Sequence, residues 1–197
     1  QKNFFAPLVC GATCVLPRSV HFDYREIVDE IEQLKVTWIN CAPSAFYPIV
    51  EDVRDNLNCV SSLRWVFLGG EAIQVNRLRH WLNHSETQLV NGYGPTECAA
   101  IATYYVLDKD KDLSREEIPI GKPIDNVRLY ILNQQQELMP AGSTGEIYIG
   151  GESVGPGYLN DAELTQQQFS TDPFNPVENQ QKTPGEKRRY ATGDLGR

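Results

Sequence analysis

No stretch of this 197-residue chain approaches the roughly 20 consecutive apolar residues of a membrane-spanning helix. The opening Gln1-Lys2-Asn3-Phe4-Phe5 also lacks the layout of a secretory signal. The expectation is a cytoplasmic protein that makes no use of a membrane. A surplus of positive charge is missing too. With 18 basic against 26 acidic residues the formal net charge is -8, which argues against a nucleic-acid surface but leaves room for a small phosphate ligand held by local donors or a metal. Cys10, Cys14, Cys41, Cys59 and Cys98 are odd in number and form no CxxC pair, so neither a disulfide framework nor a zinc site is indicated. Cys10 and Cys14 read as buried small hydrophobes. No internal repeat is present, and in such a compartment the Asn83-His84-Ser85 sequon is a chance match. The chain lacks an initiator Met and stops at Gly196-Arg197, just after a motif; it is expected to be a piece of a longer protein.

What is present suits an ordinary folded domain: 41% hydrophobic and 22% charged residues, in a length that buries about 70% of the unfolded surface on folding. Phe4 to Val9 is apolar, and residues 12 to 16 read as a short buried strand closed by Pro17. Residues 22 to 35 carry a helical pattern with Tyr24, Ile27, Val28, Ile31 and Leu34 on one face. Strands follow at 36 to 41, 63 to 68 and 88 to 91, with helices at 43 to 53 and 75 to 83. This alternation predicts an α/β fold with parallel strands and a ligand crevice at their carboxyl ends. Asn40 to Pro43, Gly69 to Glu71 and Asn91 to Glu97 all lie at such ends. Residues 108 to 117 read as a charged connector, followed by short strands at 127 to 132, 145 to 150 and 154 to 159, a helix at 162 to 169 and a polar loop over 170 to 187. The expected organisation is therefore a mostly parallel βα-layered subdomain over 1–107, then a smaller antiparallel β-rich subdomain over 108–197.

The central stretch is Asn91-Gly92-Tyr93-Gly94-Pro95-Thr96-Glu97. A strand that stops at its Gly/Pro turn and restarts as a helix at Thr96 would offer free N–H groups to an anion. Tyr93 offers a flat face to a base, Thr96 a hydroxyl to phosphate and Glu97 a hard oxygen to Mg²⁺. The plain alternatives are a core ring, a helix N-cap and a first-turn acid. The motif by itself leaves both open.

The seven residues resemble the Asn-x-Tyr-Gly-Pro-Thr-Glu signature of amino-acid-activating adenylation domains of nonribosomal peptide synthetases, within the acyl-adenylate-forming, AMP-binding superfamily. Gly145-Glu146-Ile147-Tyr148-Ile149-Gly150-Gly151 with Gly157-Tyr158-Leu159-Asn160 is similar to that family's next signature, and Tyr190-Ala191-Thr192-Gly193-Asp194-Leu195 to the one after. Gly69-Gly70-Glu71 and Ile120-Gly121-Lys122-Pro123 extend the match over essentially the whole chain. The resemblance implies part of the large N-terminal domain of an adenylate-forming enzyme. Tyr93 would stack near adenine, Thr96 contact phosphate, Glu97 hold Mg²⁺ and Asp194 accept the ribose hydroxyls. Gly69, Gly70 and Glu71 would line the adenine end, with Asn91 and Gly92 beside them. Lys2, Asn40, Phe67, Gly69, Gly92, Ala100 and Ile101 would shape an amino-acid pocket, suited to a polar or acidic side chain.

The implied reaction joins an amino acid to ATP as aminoacyl-AMP, then passes the aminoacyl group to phosphopantetheine on a partner carrier domain. Such chemistry needs alignment and charge neutralisation more than a nucleophile. Pro156 and Ala191 depart from the family's basic residues. The Gly-rich phosphate loop, the acid that anchors the substrate amine and the C-terminal domain with its catalytic Lys have no counterpart here, so the piece alone is expected to be inactive. An acyl- or aryl-CoA ligase fragment and a noncatalytic nucleotide-binding module are the rival readings.

Overall fold

The computed structural model describes residues 2–175 and 187–197. The chain divides into two units: one runs up to Gly92 and includes Tyr105–Ile120, the other is built from Tyr93–Tyr104 with Gly121–Arg197.

In the first unit, helix α1 (Lys2–Val9) leaves Phe4, Phe5, Leu8 and Val9 more than half exposed. It stops at Gly11, whose φ of 70 is left-handed. Residues 12–16 are not the buried strand that their apolar run predicts: they carry no regular structure, and Leu16 is exposed. An apolar run becomes a strand only where a neighbouring backbone completes its ladder, and among the described residues no strand pairs with this one. Cys10 is accordingly exposed and Cys14 half-buried, contrary to the expectation for both.

Helix α2 (Tyr24–Leu34) opens on Asp23, whose carboxylate accepts from the Arg25 N–H at 2.9 Å, and closes on the left-handed Lys35. Its inner face buries Val28 and Ile31, while Leu34 at the last turn points into solvent. Then follow β1 (Trp38–Cys41), α3 (Pro43–Asp52), a 3-10 turn at Leu57–Val60, β2 (Trp65–Gly69), α4 (Val75–Asn83) and β3 (Gln88–Tyr93). Pro43 sits at the first turn of α3, where its missing N–H costs nothing. The strands β1, β2 and β3 are parallel neighbours, as the βα alternation predicts. Phe46 from α3 meets Trp81 from α4 edge to face at 5.1 Å in the core between helices and sheet.

Strand β4 (Thr103–Val106), absent from the sequence-based expectation, leads into α5 (Lys109–Asp112). The charged connector is thus partly folded. Asp112 is fully buried, accepting from the Tyr105 hydroxyl at 2.7 Å and pairing with Arg115 at 3.0 Å.

In the second unit, β5 (Lys122–Pro123) pairs antiparallel with β4. Strands β6 (Val127–Leu132), β7 (Gly145–Gly151), β8 (Phe169–Thr171) and β9 (Arg188–Gly196) form a separate antiparallel sheet in the order β6-β7-β9-β8, with α6 (Ala162–Gln168) before β8. The β-rich expectation holds there, with two corrections: residues 170–171, expected to open the polar loop, belong to β8, and one expected strand is missing. Residues 154–159 are not a strand but an irregular segment. Pro156 has no N–H to give a ladder, and Gly157 takes a φ of 133 that other residues avoid. Most of the predicted polar loop, 176–186, lies outside the described residues. The protein as described is α/β, with a mixed sheet of order β1-β2-β3-β4-β5 and an antiparallel one.

Candidate functional site

The carboxyl ends of β1 to β3 bring together several predicted pocket positions by register. Asn40 lies opposite Phe67, and Gly69 opposite Gly92. Because side chains alternate along a strand, Phe67 and Gly69 share a face, so Asn40, Phe67, Gly69 and Gly92 belong to one face of the sheet. A Cβ on Gly69 would lie 2.5 Å from the Gly92 carbonyl oxygen; glycine is therefore needed for the strands to approach there. The Asn40 amide donates to the Asn3 side chain at 2.9 Å, and the Phe67 ring lies 5.5 Å from Trp38. Lys2 is in α1, but its side chain lies outside the described residues.

Glu71 follows Gly70, whose φ is 88. Its carboxylate accepts from the Ser44 hydroxyl at 2.8 Å and from the Ser44 N–H at 3.2 Å. It thereby caps the first turn of α3, where Ala42 has no side chain able to do so. Asn91 is buried, and its amide donates to the Pro119 carbonyl at 3.0 Å, which ties the end of β3 to the segment leading to Ile120.

Beyond Gly92 the chain enters the second unit. The helix predicted at Thr96 is instead one 3-10 turn, Thr96–Cys98, with no side-chain cap, followed by Ala99 and Ala100 in the left-handed region. The reason is a tight reversal. Ala102 donates its N–H back to the Tyr93 carbonyl at 2.8 Å, and a Cβ on Gly94 would sit 2.5 Å from the Ala102 nitrogen. No room remains for a helical continuation, so the expected helix N-terminus with its free N–H groups does not form. Thr96 and Ala100 are exposed, and Ile101 half-buried.

Two contacts assemble the rest. The Tyr93 hydroxyl donates to Asp194 Oδ2 at 2.6 Å, across 101 residues of sequence. Burial, and then the bond to Asp194, push the Tyr93 ionisation well above that of an ordinary tyrosine, so it stays a donor at neutral pH. Asp194 reaches this position through a β-bulge. Between Glu146 and Tyr148 of β7 the pairing jumps from Leu195 to Ala191, so Thr192, Gly193 and Asp194 stand against Ile147 alone. Thr192 Oγ1 donates to the Ile147 carbonyl at 2.7 Å and accepts from the Asp194 N–H at 3.0 Å, while the Gly193 N–H donates to Glu146 at 3.1 Å.

The second contact involves residues that the sequence alone left without a role. Tyr158 donates to Glu97 Oε1 at 2.7 Å, and the Tyr190 hydroxyl lies 3.2 Å from that of Tyr158. The Tyr158 hydrogen bond, opposed in part by desolvation, holds the Glu97 carboxyl below the usual range and hence ionised. Both tyrosines stand inside the quoted motifs, Gly157-Tyr158-Leu159-Asn160 and Tyr190 to Leu195. Their presence there was the available signal; their meeting at Glu97 was not readable. Among the described residues no three His, Cys, Asp or Glu side chains form a metal-binding group. A divalent ion at Glu97 would share that carboxylate with nucleotide and water oxygens, a donor set that suits Mg²⁺.

Comparison with known proteins identifies the family. The family model described as AMP-binding enzyme matches residues 2–159. Bacitracin synthase 3 of Bacillus licheniformis is 36% identical over 199 residues, which is 99% of this chain and 3% of that protein. Tyrocidine synthase 3 of Brevibacillus parabrevis is 36% identical over 99% of this chain and 3% of its own length. Among solved structures, the nonribosomal peptide synthetase FmoA3 superposes with a TM-score of 0.86 at 28% identity, over 100% of this chain and 20% of that one. PA1221, a synthetase protein containing adenylation and PCP domains, gives 0.80 at 30% identity over 95% and 36%. The chain therefore spans a small part of the relatives it matches.

Proposed function

This chain belongs to the AMP-binding enzyme family, and we propose that it is the part of an amino-acid adenylation domain that holds the adenosine and metal end of ATP. The observation that carries this reading is the Tyr93–Asp194 hydrogen bond, which sets a flat ring beside a carboxylate able to accept the hydroxyls of a ribose. In this reading Tyr93 stacks on adenine and Asp194 accepts from the ribose diol, and the family resemblance assigns Gly69, Gly70, Glu71, Asn91 and Gly92 to nucleotide binding as well. Thr96 meets phosphate oxygens, its exposure leaving the hydroxyl accessible. Glu97, kept ionised by Tyr158, is the protein ligand to Mg²⁺. A magnesium ion, when bound, neutralises charge on the phosphates. The substrate carboxylate attacks the α-phosphorus of ATP as its bond to pyrophosphate breaks, giving aminoacyl-AMP. The protein's contribution is alignment and electrostatics.

The FmoA3 structures in AMPPNP-bound and α-methyl-L-serine-AMP-bound forms support the choice of ligands. The adenylation and PCP domains of PA1221 support a carrier domain, with its phosphopantetheine thiol, as acceptor and partner. The family resemblance leads us to assign substrate selection to Lys2, Asn40, Phe67, Gly69, Gly92, Ala100 and Ile101, and we expect a polar or acidic substrate side chain because Lys2 and Asn40 are polar. A cytoplasmic location fits this partner set. The test is ATP–pyrophosphate exchange by the full-length protein with panels of amino, aryl and fatty acids. Exchange with one or a few polar amino acids is expected. Activation of aliphatic amino acids alone would refute the pocket assignment, and exchange only with aryl or fatty acids would point to a CoA ligase. Failure to bind ATP at all would refute the enzymatic reading.

A further inference from the structure

The segment that follows β7 grips the Thr96–Cys98 turn at two points. The Gly155 N–H donates to the Glu97 carbonyl at 2.8 Å, and the Tyr158 hydroxyl donates to Glu97 Oε1 at 2.7 Å. One bond fixes the backbone of Glu97, the other its carboxylate. The approach at Gly155 is close, since a Cβ there would lie 3.0 Å from the Glu97 carbonyl oxygen, tighter than ordinary contact.

Tyr158 is itself over-determined. Its N–H donates to Thr165 Oγ1 at 2.9 Å, its ring packs edge-on against Phe169 at 5.4 Å, and Phe169 in turn lies 4.9 Å from the Tyr190 ring. A phenol has one proton to give. Since Tyr158 gives its proton to Glu97, the 3.2 Å contact between the two hydroxyls must run from Tyr190 to Tyr158. A donor that is itself hydrogen-bonded as an acceptor is polarised and gives its proton more strongly. Tyr190 thus supports Tyr158, Tyr158 orients Glu97, and Tyr190 also acts on the Glu97 carboxyl directly.

We infer that Tyr158, supported by Tyr190, is a positioning residue that presents the Glu97 carboxylate to the divalent cation of the nucleotide complex. A single carboxylate on a one-turn 3-10 segment has several rotamers available to it. Fixing Oε1 with a hydroxyl leaves the group aimed before the metal arrives, so that less freedom is lost on binding. The inference rests on the assignment of Glu97 as metal ligand proposed above.

The experiment uses the full-length protein and Mn²⁺ as the probe. The affinity of Mn²⁺ for the protein–ATP complex is measured by electron paramagnetic resonance, and ATP binding is measured separately in EDTA. Y158F is expected to weaken Mn²⁺ by about tenfold, the scale for loss of an outer-shell partner, with metal-free ATP affinity and thermal unfolding close to those of the unmodified protein. Y190F should produce a smaller loss in the same direction. Leu159→Ala, at a neighbour that is 91% exposed, should change nothing. Retention of Mn²⁺ affinity in Y158F while E97Q loses it would overturn the positioning role and leave the ligand assignment standing. Retention in E97Q itself would overturn the ligand assignment and this inference with it. Equal loss of metal-dependent and metal-free ATP binding in Y158F would reduce the tyrosine to a packing residue and also overturn the inference.

Discussion

Replacing Tyr93 by Phe removes one hydroxyl and leaves the ring available for stacking on a base. The hydroxyl lost is the one that donates to Asp194 Oδ2 at 2.6 Å. A hydrogen bond to a charged group contributes about 1.5 to 3 kcal/mol when shielded. Asp194 is exposed and Tyr93 half-buried, so competition from water reduces the figure to about 1 kcal/mol. In the proposed site that value corresponds to roughly a fivefold weakening of ATP, because Asp194 would no longer be held ready for the ribose. Part of the bulge remains: the Thr192 and Glu146 contacts still hold the backbone of Gly193 and Asp194, so the loss should not grow much beyond this. The assay is ATP affinity of the full-length protein by calorimetry, together with KM and kcat in ATP–pyrophosphate exchange. KM should rise about fivefold with kcat within about twofold. In an Asp194→Ala background the further effect of Tyr93→Phe should shrink towards zero, since no acceptor remains for the hydroxyl. Unchanged ATP affinity, or a hundredfold fall in kcat at constant KM, would refute the view that the bond serves to pre-align Asp194.

Two further outcomes follow from the geometry. Gly94→Ala places a Cβ 2.5 Å from the Ala102 nitrogen and 2.8 Å from the Ile101 Cα; since backbone cannot swing aside as a side chain can, the reversal into β4 must open. Exchange activity should fall at least about tenfold, and near-normal activity would show that the turn is not needed in this form. Tyr130 is pushed up to about 12 by burial and then by its bond to the buried Asp172 carboxylate. An unfolded tyrosine ionises near about 10, so the unfolded state loses its proton first. The stabilising contribution is complete below about pH 10 and is lost as pH rises towards about 12. Limited proteolysis of the full-length protein against pH should show alkaline opening of β6 and β9 in that window, shifted or absent in Tyr130→Phe. An unchanged profile in the variant would exclude Tyr130 as the responsible group.

Much was legible in the sequence by itself. The apolar spacing of Val75, Leu78, Trp81 and Leu82 marked α4 with its observed bounds, and repeated βα units implied the parallel order of β1 to β3. The motifs gave Tyr93, Glu97 and Asp194 as the residues to watch. These features are local or periodic: which face of an element is buried is written along the chain. Tertiary structure decided the rest. The expected helix at Thr96 became one 3-10 turn because Gly94 lies against Ala102, a contact that no spacing encodes. The run at 12–16 failed as a strand for want of a ladder partner, and 154–159 failed because Pro156 and Gly157 cannot sustain pairing. Asp194 acquired its place through a bulge opposite Ile147, and the tyrosines at Glu97 arrive across spans of 61 and 32 residues that close only in the folded sheet. Sequence named the candidate groups; packing chose their partners, because a hydrogen bond depends on where two distant backbones come to rest.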